Sequence, residues 1–121
     1  MTAVSSIMQK HVVGISISAK VSTALMIMRH ARVSIAPVLD EGRLVGLITR
    51  EIVIEKSNSD KLVNEVMMRP QALIEQKMTI EQAAQLLVRS NMSRLPVIDS
   101  MKNMNVVGTI TSTAIVKALK E

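Results

Sequence analysis

Two threonines stand where an apolar, strand-like segment gives way to a helical pattern. They are Thr49, closing Val45-Gly46-Leu47-Ile48-Thr49, and Thr111, closing Val107-Gly108-Thr109-Ile110-Thr111. A threonine in that place can cap the helix and hold its hydroxyl beside unpaired N–H groups. A helix start of this kind is a ready site for phosphate. A plain N-cap is the alternative reading of each, and recurrence at matching places keeps the binding reading open beside it. Arg94, just ahead of Leu95-Pro96, adds a guanidinium suited to paired hydrogen bonds with phosphate oxygens. Its alternative is a surface arginine on an edge strand. His11 and His30 have no acid cluster at ligand spacing and read as structural or surface residues. Met101 and Met104 have the spacing of a thioether copper pair but fall in a polar turn, where loop filler or a contact surface is the simpler account. No Ser-His-Asp set, paired carboxylates or glycine-rich phosphate loop stands out, so the residue inventory argues against an enzyme.

These residues recur because the chain repeats itself. Displaced by 59 positions, Met8 meets Met67, Ile15 meets Ile74, Ala24 meets Ala83 and Ser34 meets Ser93. Pro37-Val38-Leu39-Asp40 then meets Pro96-Val97-Ile98-Asp99. Beyond the aspartate the offset becomes 62, because the second copy gains three residues within Ser100–Asn105. Insertions of this kind concentrate at loop tips, which marks a turn between two strands.

Each copy has the same predicted elements. A short strand comes first, around Val12–Ile17 and Ala72–Glu75. A helix follows, with Val21, Ala24, Leu25 and Met28 on one face, mirrored by Ile80, Ala83, Ala84 and Leu87. Thr79 and Gln82 form a capping box in the second copy, where the first has Lys20. Two strands come next, Ile35–Leu39 and Leu44–Thr49 around the Asp40-Glu41-Gly42 turn, with counterparts Leu95–Ile98 and Val106–Thr111. A second helix, about Arg50–Lys56 or Ser112–Lys120, closes each copy. Asn58-Ser59-Asp60 is the only polar linker. It places the units at 1–59 and 60–121, packed as one body. Proline starting a short strand suits an edge or a strand opening, and glycine in the following strand admits a close backbone or ligand.

Composition narrows the class. The 121 residues are 48% apolar and 21% charged, with no apolar run near the ~18–20 needed to span a bilayer. There is no signal-peptide pattern and no cysteine, which reads as cytoplasmic. Phe, Trp and Tyr are absent and ten residues are Met, so the core is expected to be aliphatic with Met filling irregular gaps. The net charge of +5 is scattered along the chain. Without aromatics, base stacking on single-stranded nucleic acid is disfavoured.

The β-α-β-β-α order, together with S-x-x-P-V-h-D and V-G-h-h-T in both copies, resembles the CBS domain first named in cystathionine β-synthase. The tandem resembles a Bateman module and covers nearly the whole chain. The resemblance implies an α/β (α+β) fold of two CBS units around a pseudo-twofold axis, with clefts between them. It implies a non-catalytic regulatory module with no required cofactor, whose effector is AMP, ADP, ATP or S-adenosylmethionine. It also implies a homodimer and a separate regulated protein, the chain carrying no catalytic domain of its own; nucleic acid and membrane are not expected partners. The ligand-binding candidates are Val13, Ala36, Pro37, Thr49, Glu51, Ala72, Arg94, Leu95, Pro96 and Thr111. A dimeric interaction scaffold without a small-molecule ligand is the alternative. The chain departs from the family pattern at the ribose-binding acid. Ile52 and Ala114 occupy that position, and Glu51 lies one residue early. One competent cleft at most is expected.

Overall fold

A computed structural model describes residues 2–121 and confirms the mixed α/β class. The elements run β1 (Ile15–Ser16), α1 (Val21–Ala31), β2 (Ile35–Asp40), β3 (Arg43–Thr49), α2 (Arg50–Glu55), α3 (Val63–Val66), β4 (Ile74–Glu75), α4 (Ile80–Ser90), β5 (Arg94–Ile98), β6 (Val106–Thr111) and α5 (Ser112–Leu119), preceded by a 3₁₀ turn at Val4–Ser6. The strands form two three-stranded sheets, ordered β1-β2-β3 and β4-β5-β6. In each, the first pair is parallel and the second antiparallel.

The chain divides into two compact bodies, and their limits do not follow the repeats. The first body is Val13–Pro70; the second joins the residues up to Val12 to Gln71–Glu121. The leading segment of each repeat therefore serves as a strap on the sheet of the other. In the second body, Ile80 N–H donates to Thr2 C=O and Val4 N–H to Met78 C=O, while Gln9 and Thr109 exchange two backbone bonds of 2.8 Å. In the first body, Val21 N–H donates to Lys61 C=O, Val63 N–H to Ala19 C=O, and Met68 and Leu47 exchange bonds of 2.8 and 2.9 Å. Val4 and Val63, matching strap residues, are both fully buried. Burying one such side chain stabilises by roughly 1.5–3 kcal/mol.

The straps bear on two of the sequence expectations. The leading strands pair over only two residues each, shorter than Val12–Ile17 and Ala72–Glu75, and of the two placements expected for Pro37 and Pro96 both take the one near a strand opening, on the central strands. Leu47 opposes Pro37 but turns its N–H outward to Met68. The Pro37–Leu47 couple is therefore a non-hydrogen-bonded one, and the N–H that proline lacks is the one that would face β1. Pairing of β1 with β2 stops at Val38 for that reason. Thr109 and Gln9 impose the same geometry opposite Pro96.

Glycine has a matching role. Gly46 and Gly108 admit a close backbone, as the sequence suggests, and that backbone belongs to the strap. A Cβ at Gly108 would stand 2.8 Å from Gln9 O, and one at Gly46 would stand 3.1 Å from Met68 O. Each sheet also bulges next to its glycine, leaving Val45 and Val107 outside the register.

The core is aliphatic. Ile15, Val21, Ala24, Met28, Val38, Ile48, Val53 and Val63 fill the first body. Ile74, Ile80, Leu87, Leu95, Val97, Ile98 and Ile110 fill the second. Among the described residues Met28 is the one methionine wholly inside, so thioethers fill less of the interior than composition suggests. The paired helices are terminated alike, by Arg32 and Asn91 in the left-handed region at φ 58° and 55°. They are not begun alike. Thr79 and Gln82 close a reciprocal box, with bonds of 3.2 and 3.0 Å, whereas Lys20 provides no side-chain cap.

Candidate strand-end ligand sites

The topology gathers the candidate residues at one end of each sheet. Parallel β1 and β2 begin where antiparallel β3 ends and α2 starts, and the second body repeats this. In the first body that end carries half-buried Val13, two residues ahead of Ile15, together with buried Ala36 and Pro37 at the start of β2. Thr49, directly opposite Ile35, closes β3. Its Oγ1 accepts from Ile52 N–H at 3.4 Å, so it caps α2 as expected. Glu51 lies in the first turn of α2 with its side chain exposed.

In the second body the same end carries half-buried Ala72, buried Leu95 and Pro96, and the pair Arg94–Thr111. These last two are direct cross-strand partners at the start of β5 and the end of β6. Thr111 Oγ1 accepts from Ala114 N–H at 3.1 Å, a tighter cap than its counterpart. Arg94 is half-buried and, among the described residues, has no carboxylate within 4.0 Å. A hydroxyl, the first turn of an eight-residue helix and a guanidinium without a salt bridge thus meet at one sheet corner. In the first body the guanidinium's place is taken by the Ile35 side chain.

Sequence reading missed Arg50 here. It follows Thr49 at the first position of α2, its N–H donates to Ser34 C=O at 2.9 Å, and its Nε is buried without a hydrogen-bond partner. Ser112, bonded in the same way to Ser93 C=O at 2.8 Å, occupies the matching place. The clearest perturbed carboxyl is elsewhere. Asp99 closes the inserted loop by accepting from Asn105 Nδ2, Ser100 N–H and Asn105 N–H at 3.1, 2.7 and 3.0 Å. Those bonds, the Asn105 side chain first, hold its pKa below the ordinary value. Met101 and Met104 belong to this loop, away from the sheet corner. Among the described residues no group of three or more His, Asp or Glu side chains is placed to hold a metal ion, and no helix is long and apolar enough to cross a membrane.

The CBS-domain family model matches residues 4–59 and again 63–121. The chain belongs to the CBS-domain family. Among curated relatives, this CBS pair is 38% identical over 88 residues to the uncharacterized protein MJ1232 of Methanocaldococcus jannaschii, covering 72% of this chain and 29% of that one. It is 30% identical over 112 residues to an inosine-5'-monophosphate dehydrogenase of the same organism, covering 92% and 22%. The chain thus spans less than a third of either relative. Among solved structures, the CBS domain pair of protein MJ0100 in complex with 5-methylthioadenosine and S-adenosyl-L-methionine superposes with a TM-score of 0.81 at 25% identity, covering 99% of this chain and 97% of that one. The CBS-pair protein CBSX2 of Arabidopsis thaliana shares the fold, with a TM-score of 0.85 at 24% identity over 98% and 94% of the two chains.

Proposed function

We propose that this CBS pair is a non-catalytic cytoplasmic sensor. It binds an adenine nucleotide or a related adenosyl ligand and changes the conformation or association of a separate regulated protein. One observation carries the reading: Arg94 and Thr111 face one another across β5 and β6, beside the first turn of α5. This corner of the second body supplies N–H groups, a hydroxyl and a cation for an anionic or hydroxyl-rich ligand. The likeness to the MJ0100 pair, solved with two adenosyl compounds, supports the ligand class. Ala114 stands where an acid would hold the ribose, so recognition at this corner rests on the anionic part of the ligand. Effector binding acts by population shift, and the ligand is not a required cofactor.

The test is thermal melting with AMP, ADP, ATP and S-adenosylmethionine in turn. Ligand at 100 times its dissociation constant adds about 2.7 kcal/mol, a clear rise in midpoint. No shift with any of the four at millimolar concentration contradicts the ligand reading. Because the chain has no Trp or Tyr, absorbance at 260 nm also reveals a nucleotide that co-purifies.

A second reading, a homodimeric interaction scaffold without ligand, is favoured by one apolar feature. Helices α4 and α5 flank a groove of about 590 Å³ lined by Leu87, Val88, Ile115, Val116 and Leu119. Val88, Val116 and Leu119 are 79, 52 and 55% exposed. Surplus apolar surface of this kind tends to be an interface. A dimer in solution that ignores all four compounds supports the scaffold over the sensor.

A further inference from the structure

With no cysteine, the sulfur chemistry of this chain belongs to its ten methionines. Met8 and Met67 stand apart from the others. They are repeat equivalents, each lies in a strap, and each packs its thioether onto the glycine of the last strand in its body. A Cβ added to Gly46 would stand 2.5 Å from Met67 Sδ, and one added to Gly108 would stand 2.7 Å from Met8 Sδ. Each sulfur therefore fills space that only a missing side chain leaves. The adjoining strap residue in each case, Met68 or Gln9, makes the two backbone bonds that fasten the strap to the sheet. Both methionine residues are half-buried, neither enclosed in the core as Met28 is.

We propose that Met8 and Met67 are a matched pair of oxidation-sensitive latches, which a hydroperoxide opens by converting each thioether to its sulfoxide. The sulfur lone pair attacks the peroxide oxygen. An S–O bond forms and the O–O bond breaks. Sulfur is oxidised by two electrons and the peroxide is reduced; the transferred oxygen gives up its proton, which the departing oxygen gains as it leaves as water or an alcohol. The product carries an extra oxygen and a strong dipole on a sulfur that packs against the strand glycine beneath the strap. That change weakens the packing that holds the strap to the sheet edge. Met26 and Met101 provide the internal contrast: at 72 and 47% exposure they accept the same oxygen into solvent, where no packing is lost.

The full chain is treated with graded hydrogen peroxide, oxidation is assigned residue by residue by peptide mass spectrometry, and the melting midpoint is read at each stage. Once Met8 and Met67 carry oxygen, the midpoint falls by about 5 °C or more, a size ordinary for lost packing in a domain of this length. A Met26→Leu/Met101→Leu chain falls equally, a Met8→Leu/Met67→Leu chain does not, and methionine sulfoxide reductase restores the wild-type midpoint. Met-to-Leu exchange nearly conserves volume, so the latch variant is expected to fold; if it does not, the site-resolved wild-type series decides alone. An unchanged midpoint with both sulfoxides formed overturns the proposal. So does persistence of reduced Met8 and Met67 where Met26 and Met101 are fully oxidised.

Discussion

The two sheet corners are built on one plan and equipped differently. Both end a strand in a threonine whose hydroxyl caps the next helix, and both bury a proline and its preceding residue at the start of the central strand. Opposite the threonine, one corner presents Ile35 and the other Arg94. After the threonine, one continues with Arg50 and Glu51, the other with Ser112 and Thr113. The scaffold residues are held by demands that apply twice: core volume, a missing N–H, a missing Cβ. The corner residues answer to no such demand and have diverged. Duplication thus accounts for where a site can be, while the unlike residues decide which corner works.

The largest effects are expected where the bodies are held to the same plan. Val4→Asp and Val63→Asp each place a charge at a fully buried strap position and should cost about 4 kcal/mol or more in chemical denaturation. Equal losses at both positions are predicted, because the two side chains are equally buried. A harmless Val4→Asp would break the equivalence of the straps. Next in size, Gly108→Ala should destabilise by about 1–3 kcal/mol. Gly46→Ala should cost less, since its new Cβ meets strap backbone at 3.1 Å rather than 2.8 Å. The reverse order in melting midpoints would show that the two contacts are not ranked by backbone approach.

The smallest effect has the opposite sign. Lys20→Thr supplies to α1 the cap that Thr79 gives α4, and Arg32→Asn gives it the residue that ends α4 at φ 55°. Left-handed backbone suits Asn better than Arg. Together these exchanges should stabilise by about 1 kcal/mol; no gain would mean that the uncapped end is already satisfied by other means.

Much of this was legible in the sequence because it is periodic or repeated. The 59-residue offset, the i, i+3, i+4, i+7 faces of α1 and α4, the Thr79–Gln82 box and the inserted turn all emerge in the structure at their predicted places. The straps were not legible. Met8, Gln9 and Met68 carry no periodic pattern, and the strands they join lie in the other repeat, so nothing local announces the exchange. That gap also hid how a central strand carries Pro37, which becomes clear once Leu47 is seen turning its N–H to Met68. Thr49, Thr111 and Arg94 could be picked out by chemistry, but that Arg94 and Thr111 stand opposite one another is seen only in the strand register. Arg50 could not, since burial of its Nε follows from packing alone.

The account turns on one corner being competent and the other not. Calorimetric titration of the wild-type chain and of Arg94→Ala with AMP and with S-adenosylmethionine tests this directly. One ligand per chain is predicted for the wild type. Affinity should fall about tenfold or more in the variant, the loss of one charge-assisted hydrogen bond. Two equivalent sites per chain, or an affinity that Arg94→Ala leaves unchanged, would contradict it.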